Sequence, residues 1–164
     1  MNLPTFRGGL ARQRAIAVRS QPMPRICGID LDKNEARFVV LDGYAERFEL
    51  VPTGVARLVL ADPKSQGEVR EYQAAIQAFF DENGIERVGI RERLSKGRMK
   101  GGTITFKLEG LIQTCRQEVI LIPPATIRKA VSAANIEFSE LPIAKFQHEA
   151  YGAAYCLLRQ NRES

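Results

Sequence analysis

The sequence lacks any apolar stretch long enough to span a membrane, because none approaches the roughly 18 to 20 residues that a spanning helix requires. It also lacks internal repeats and low-complexity segments. Its 164 residues, of which 45% are hydrophobic, suffice for one domain with a substantial buried core. We therefore predict a single globular domain with no membrane partner.

Cysteines are few, and their arrangement argues against both disulfides and a cysteine metal site. Cys27, Cys115 and Cys156 are odd in number, far apart and without metal-ligand spacing. Their neighbours are mostly apolar, which favours reduced thiols in the core. Reduced thiols are typical of the cytosol, so we predict a cytoplasmic protein.

Acidic residues are absent from the first 24 positions, which contain four arginines. We predict that residues 1–24 form a flexible basic tail and that residues 25–164 form the folded domain. Such a tail can hold nucleic-acid phosphates by charge alone. Without its four arginines the chain has 20 basic and 19 acidic residues, a net charge of +1. Any basic surface on the folded domain must therefore be local.

The most informative stretch is a short apolar run, residues 25–32 (RICGIDLD), that ends in two carboxylates. Side chains alternate along a strand, so Asp30 and Asp32 would point to the same face. Placing Asp30 at the end of a buried strand costs solvation free energy unless it meets a cation or strong donors. Asp30 is therefore the first candidate for a functional residue, whereas Asp32 fits a solvated turn.

The rest of the chain predicts an alternation of strands and helices. Further strands are expected over residues 36–41, 46–51, 87–90 and 118–122, with a turn at Asp42-Gly43 and an irregular connection over 52–64. Helices are expected over residues 68–80, 103–116, 126–134 and about 144–159. This order predicts an α/β fold with a mixed five-stranded sheet, three antiparallel strands followed by parallel ones, and helices on both faces.

Acidic residues recur where these elements begin or end. Asp30 ends the first strand, Glu92 follows the fourth, and Glu149 lies on the last helix. If the first and fourth strands are neighbours, these acids meet at the edge where α/β proteins usually bind ligands. Converging carboxylates repel one another unless a hard cation such as Mg²⁺ or Mn²⁺ joins them. Two such ions are a standard device for phosphodiester hydrolysis.

At these residues the chain resembles a known superfamily. Gly28-Ile29-Asp30, a following hairpin and a strand ending in Glu92 resemble the RNase H-like superfamily, and within it the RuvC-type Holliday-junction resolvases. Residues 122–131 (IPPATIRKAV) resemble the strand–proline–helix segment of those resolvases, and residues 149–154 (EAYGAA) resemble their last, acid-bearing helix. The chain is more similar still to a family of small, uncharacterised bacterial proteins within that superfamily.

The resemblance implies an RNase H-like fold and a metal-dependent nuclease acting on structured or branched nucleic acid, with DNA favoured. It implies that Asp30, Glu92 and Glu149 are catalytic and bind Mg²⁺ or Mn²⁺, and that a homodimer is possible. Gly152 stands where resolvases usually carry a second acid on the last helix. His148 is a candidate replacement, as a ligand or a base, and a surface histidine is the alternative.

Basic residues surround Glu92. Arg91 and Arg93 flank it, and a glycine-rich loop follows with Lys96, Arg98 and Lys100. Glycines allow a backbone to approach phosphates closely, and cations neutralise their charge. These five basic residues are therefore the predicted nucleic-acid contacts, with a solvated loop as the alternative.

Two other functions stay open at this point. A catalytically silent RNase H-like module that binds nucleic acid or a protein partner agrees with Gly152 and with the near-neutral charge of the folded domain. An actin-like sugar kinase or ATPase would use Gly28-Ile29-Asp30 as a phosphate loop. That class needs two such domains, and this chain has length for one.

Overall fold

The computed structural model describes residues 23–94, 96 and 102–160. Across these residues the chain forms six β-strands, four α-helices and two short 3-10 turns. The strands are β1 (Arg25–Asp32), β2 (Glu35–Tyr44), β3 (Arg47–Val51), β4 (Arg57–Val59), β5 (Arg87–Arg91) and β6 (Glu118–Ile122). The helices are α1 (Gln66–Glu82), α2 (Thr103–Gln113), α3 (Pro124–Ala133) and α4 (His148–Leu158), and the 3-10 turns span Phe138–Glu140 and Lys145–Gln147. Residues 1–22 of the predicted basic tail lie outside the described residues.

The strands form one mixed sheet in the order β3-β2-β1-β5-β6. The pairs β1–β2 and β2–β3 are antiparallel, whereas β1–β5 and β5–β6 are parallel. This confirms the predicted α/β fold with three antiparallel strands followed by parallel ones. The sheet has one more strand than predicted, since β4 pairs with β2 from within the connection 52–64. Three residues are too few to show an alternating pattern in the sequence.

The predicted turn at Asp42-Gly43 is wrong, because β2 continues through it to Tyr44. Tyr44 pairs with Arg47, so the hairpin turn falls on Ala45 and Glu46. Gly43 has φ +129°, and a Cβ there would lie 2.3 Å from the carbonyl oxygen of Arg47. Glycine is therefore needed at residue 43 inside the strand rather than in a turn.

Helices cover both faces of the sheet, as predicted. One face packs against α1 and α2, with Ile29, Phe80 and Leu108 in its core. The other packs against α3 and α4, with Ile26, Ile127 and Leu157 in its core. Successive side chains of β1 point to opposite faces, so Gly28 and Asp30 lie on the α4 face. In the part of the chain that the structure describes, no helix is both long enough and apolar enough to cross a membrane.

The three cysteines are buried and form no disulfide, which confirms the prediction of core thiols. Burial raises the pKa of all three thiols, that of Cys27 furthest. Such thiols are poor nucleophiles and poor metal ligands. The chemistry of this protein must therefore be sought among its charged groups.

Candidate functional site

The predicted site residue Asp30 lies at the carboxyl end of β1, and only 5% of it is exposed. Its position under α4 depends on Gly28, two residues earlier on the same face. A Cβ at residue 28 would lie 2.0 Å from the carbonyl oxygen of Ala150 and 2.4 Å from the backbone nitrogen of Ala154. Only glycine allows α4 to pack this closely against β1. This contact brings the first turn of α4, which carries Glu149, towards Asp30.

Arg91 lies beside Asp30 on the neighbouring parallel strand. Gly28 and Ile29 of β1 pair with Gly89 and Ile90 of β5, so the next residues, Asp30 and Arg91, are equivalent. Arg91 Nη1 lies 3.6 Å from Asp30 Oδ1, and Arg91 Nε lies 3.2 Å from Glu149 Oε2. Arg91 Nε has no hydrogen-bond partner, so its approach to Glu149 is an ion pair without hydrogen-bond alignment. The Arg91 side chain thus contacts both carboxylates.

A second guanidinium approaches Asp30 from the opposite strand. Arg37 of β2 pairs directly with Asp30, and its Nη1 lies 3.8 Å from Asp30 Oδ2. Arg37 also forms hydrogen-bonded ion pairs with Asp32, at 2.8 Å, and Glu35, at 2.6 Å. Asp32 is therefore held by Arg37 rather than standing free in a solvated turn. A count outward from the turn at Lys33-Asn34 already places Arg37 opposite Asp30.

Burial and charge act in opposite directions on the Asp30 carboxyl. Burial raises its pKa above the usual aspartate value, and the charge of Glu149 adds to this. The guanidiniums of Arg91, Arg93 and Arg37 lower the pKa but do not cancel the rise. Asp30 Oδ1 accepts no hydrogen bond. Asp30 is thus a buried acid whose charge is balanced by ion pairs with little hydrogen bonding.

Glu92, the second predicted site residue, does not meet Asp30. Its backbone N–H donates to the carbonyl of Ile122 at 2.9 Å, so pairing between β5 and β6 extends to it. Alternation therefore turns its side chain away from the Arg91 face. Burial raises the pKa of Glu109 on α2, and the charge of Glu92 raises that pKa further. The backbone N–H of Arg93, which donates to Glu109, lowers the same pKa without cancelling the rise.

The sequence-based expectation that Glu92 joins Asp30 is thus corrected by one residue, and the position beside Asp30 belongs to Arg91. The matching tripeptides Gly28-Ile29-Asp30 and Gly89-Ile90-Arg91 were the available signal. The catalytic role predicted for Glu92 stays a prediction, without the convergence on which it rested.

The remaining predicted residues lie around this centre or outside the described part of the chain. His148 begins α4, and its ring stacks on Phe138 at 4.6 Å with an interplanar angle of 15°. Lys96 is exposed, while Arg98 and Lys100 lie outside the described residues. Gly152 faces α3, because a Cβ there would lie 2.8 Å from Ile127 Cγ2. An acid in its place would meet apolar side chains.

A pocket of about 390 Å³ opens beside Arg91, and we call it the arginine pocket. The end of β5 and the start of α3 line it, and sequence reasoning assigned no role to the α3 residues. Its lining consists of Arg91, Glu92, Arg93, Leu94, Pro123, Pro124, Ala125 and Arg128. Three arginines and one glutamate thus line a pocket beside the start of a helix, where the helix dipole also favours anions.

The described residues do not fit the predicted Mg²⁺ or Mn²⁺ site. Nowhere in residues 23–94, 96 and 102–160 do three or more His, Cys, Asp or Glu side chains come together as a metal would require. Two of the predicted ligands, Asp30 and Glu149, do approach each other, but both contact Arg91. A guanidinium already supplies the positive charge that a metal would bring.

The strand order and the helices on both faces define an α/β protein with an RNase H-like fold. Thermus thermophilus RuvC has the same fold, with a TM-score of 0.63 and 13% identity over 80% of this chain and 92% of that one. T. thermophilus RuvC in complex with a Holliday junction substrate gives a TM-score of 0.60 and 14% identity, over 81% and 91%. At such identities the likeness shows the fold alone.

A family model described as "Protein of unknown function (DUF3010)" matches residues 24–157, and the chain belongs to this family. The match begins next to β1 and ends within α4, so it covers every strand and helix that forms the site. No protein with a curated description matches the chain. Function must therefore be argued from the site itself.

Proposed function

We propose that this protein binds nucleic acid, with DNA favoured, at the carboxyl edge of its sheet and needs no divalent metal to do so. The observation that carries the proposal is the position of Arg91 in contact with both Asp30 and Glu149. A nuclease of the predicted kind would keep carboxylates there for metal ions. In this chain the cation between the carboxylates is the Arg91 side chain, and the neighbouring Arg93 and Arg128 provide positive charge for binding.

The distribution of charge supports binding at this edge. The lining of the arginine pocket includes three basic residues, Arg91, Arg93 and Arg128, and one acidic residue, Glu92. Arginine is well suited to phosphate, because its planar fork donates two parallel hydrogen bonds. The exposed Lys96 comes two residues after Leu94, which lines the pocket. A folded domain of nearly neutral net charge thus concentrates cations in one place, as a phosphate-binding surface requires.

The likeness of fold adds a weaker argument, by analogy. One of the similar structures is a RuvC in complex with a Holliday junction substrate, which is the reason to favour DNA over RNA. A homodimer, which the resemblance also implies, stays a prediction that light scattering would test. The analogy concerns only the kind of partner. Whether the site beside Arg91 needs a divalent metal is decided by measurement.

The proposal is tested by binding to a four-way junction, a flap, a duplex, a single strand and an RNA–DNA hybrid, each in EDTA and in Mg²⁺. We expect binding in EDTA that weakens steeply with salt. Arg93→Gln and Arg128→Gln should each weaken it. Arg70→Gln, at an exposed position of α1 on the other face, is the matched control. Absence of binding to every substrate, or binding only with metal, would overturn the proposal.

A metal-dependent nuclease is the second candidate, favoured by one observation. Asp30 Oδ1 is buried, accepts no hydrogen bond and is near the charge of Glu149, so one oxygen with ligand chemistry is engaged only by the ion pair with Arg91. The same panel, incubated with Mg²⁺ or Mn²⁺, tests it. Cleavage by the natural chain that disappears in Asp30→Asn would establish the nuclease, whereas binding in EDTA would still decide whether binding itself needs a metal. Binding without cleavage would favour the silent module.

A further inference from the structure

We infer that the arginine pocket is a site for one unpaired nucleotide of a nucleic-acid strand, with its phosphodiester held by Arg93 and Arg128 and its base on Leu94 and Pro123. This inference rests on the proposed function and specifies which unit of the nucleic acid is recognised. It assigns a ligand to α3, which the predicted catalytic residues leave without a role. Size, charge and the apolar wall each support it.

The size of the pocket calls for a ligand larger than a bare ion. Its volume of about 390 Å³ lies within the roughly 300 to 1,000 Å³ that is common for small-molecule sites. One water molecule takes up about 30 Å³ in the liquid, so a lone phosphate would leave most of this space to solvent. A nucleotide, with its base and sugar, matches the volume better.

The charge of the pocket favours a phosphodiester over a phosphate dianion. Arg91 is already engaged by Asp30 and Glu149, which leaves two cations for a ligand. Arg93 Nε is buried without a hydrogen-bond partner, and Arg128 is exposed and forms no ion pair with the described acids. The charge of Arg93 also acts on the carboxyl groups of Asp30 and Glu109, so about one net positive charge remains for a ligand. A phosphodiester carries one negative charge, whereas a terminal phosphate carries about 1.5 to 2.

The start of α3 adds a donor next to Arg128. Its N-cap, Pro123, provides no side-chain hydrogen bond, and Pro124 has no N–H to give. The N–H groups of Thr126 and Ile127 turn back to the carbonyl of Pro123, at 3.0 and 3.2 Å. This leaves the N–H of Ala125 without an acceptor among the described residues. It lies in the pocket lining at the positive end of a ten-residue helix.

Part of the pocket lining is apolar, which a bare anion site would not need. Leu94 is 44% exposed and is one of four large hydrophobic residues that the described surface leaves open. It lines the pocket together with Pro123 and Pro124. A flat apolar surface next to cations suits a base attached to its phosphate. An unpaired base fits better than a paired one, because a pocket between a strand end and a helix cannot admit a base pair.

The test follows backbone amide shifts of the whole chain by NMR on adding inorganic phosphate, a nucleoside monophosphate, a dinucleoside monophosphate or an abasic analogue of the last. We expect the dinucleoside monophosphate, which contains one phosphodiester, to bind tightest and to shift Leu94 and Ala125. Arg128→Gln and Leu94→Ser should each weaken it roughly tenfold, as expected when a phosphate or stacking interaction is removed. Arg70→Gln is the control, and thermal melting checks that every variant is folded.

The outcomes separate this inference from the proposed function. If inorganic phosphate or the abasic analogue binds as tightly as the dinucleoside monophosphate, the pocket is a simple anion site and the inference fails. If long DNA binds but shifts no pocket amide, the inference fails while the proposed function survives. Suppose that the dinucleoside monophosphate shifts the pocket amides but that none of the longer nucleic acids binds. The pocket assignment then survives and the proposed function fails.

Discussion

Asp30 and Arg91 are equivalent residues of two adjacent parallel strands, each one position beyond the paired Ile29 and Ile90, and 3.6 Å separates Oδ1 from Nη1. Their opposite charges lie at the edge of the sheet where the sequence predicted that Asp30, Glu92 and Glu149 would converge. The same guanidinium reaches Glu149 on α4. The negative charges of Asp30 and Glu149 are therefore balanced by a side chain of the protein itself. The first two predictions below follow from the ion pair between Asp30 and Arg91.

The first prediction concerns Asp30 and pH. Its pKa in the folded state is raised, chiefly by burial, above that of the unfolded chain. The folded state therefore binds more protons between the two pKa values, and the free energy of unfolding falls as pH rises through that window. Asp30→Asn mimics the neutral acid, so it should abolish this fall and raise stability at pH 7. The gain should exceed the roughly 0.5 kcal/mol typical of surface changes.

Urea unfolding between pH 3.5 and 8 measures the effect of Asp30→Asn. Asp62→Asn is the matched control, because it makes the same substitution at an exposed aspartate. Equal pH profiles for the natural chain and Asp30→Asn would mean that the guanidiniums compensate the burial of Asp30 fully. A loss of stability at pH 7 would mean that its ion pairs outweigh its burial.

The second prediction is that Arg91→Glu creates a divalent-metal site. The substitution replaces the guanidinium that contacts Asp30 and Glu149 with a third acid. Without metal the variant should be destabilised by carboxylate repulsion. With Mn²⁺ at about a hundred times its Kd, stability should recover by about 2.7 kcal/mol. Thermal melting with and without Mn²⁺ measures this, and Arg91→Gln is the control. If Mn²⁺ does not change the melting temperature of Arg91→Glu, the idea that Arg91 occupies the place of a metal ion is refuted.

The sequence was sufficient for the fold because its signals are local and repeated. The alternating pattern of β1 and β2 and the 3.6-residue period of α1 fix which elements form. The chain order of strands and helices then limits how they pair. The sequence did not predict the three-residue strand β4 or the position of Gly43 inside β2, because each depends on a partner strand. Gly43 signals a turn by residue type, yet its role is set by the close carbonyl of Arg47.

The candidate site was less predictable, because its composition depends on register. A shift of one residue at the end of β5 exchanges Arg91 for Glu92 and reverses the charge beside Asp30. Asp30 itself was found, since an acid ending a buried strand stands out in any sequence. Arg128 was not, because it reaches the pocket from α3, about 40 residues along the chain. Such a long-range approach leaves no local pattern.

The third prediction concerns the basic loop that follows β5. Lys96, Arg98 and Lys100 are predicted to neutralise phosphates, so replacing all three by glutamine should weaken binding of duplex DNA. The slope of log K against log[salt] should become shallower by about 0.9 for each phosphate that the variant no longer neutralises. Anisotropy titrations at several salt concentrations measure the slope. Replacing Arg47, Arg70 and Arg159 by glutamine removes the same charge at exposed positions elsewhere. Equal effects of the two triple variants would indicate attraction by net charge without a specific role for the loop.

The fourth prediction concerns the contact that places α4 over the site. A Cβ at residue 28 would lie 2.0 Å from the carbonyl oxygen of Ala150, so Gly28→Ala must push α4 away from β1. Overpacking of this kind usually costs about 1 to 3 kcal/mol, and contact with backbone puts this case at the upper end. Glu149 should also move away from Arg91, and nucleic-acid binding should change with it.

Gly110→Ala is the matched control for Gly28→Ala. Gly110 lies inside α2, and a Cβ there would meet nothing within 4 Å. Alanine is the better helix former, so Gly110→Ala should stabilise the protein by about 0.5 to 1 kcal/mol. Urea unfolding compares the two variants. A Gly28→Ala protein as stable as the natural chain would show that α4 adapts to the added methyl group, and the contact of Glu149 with Arg91 would then not depend on Gly28.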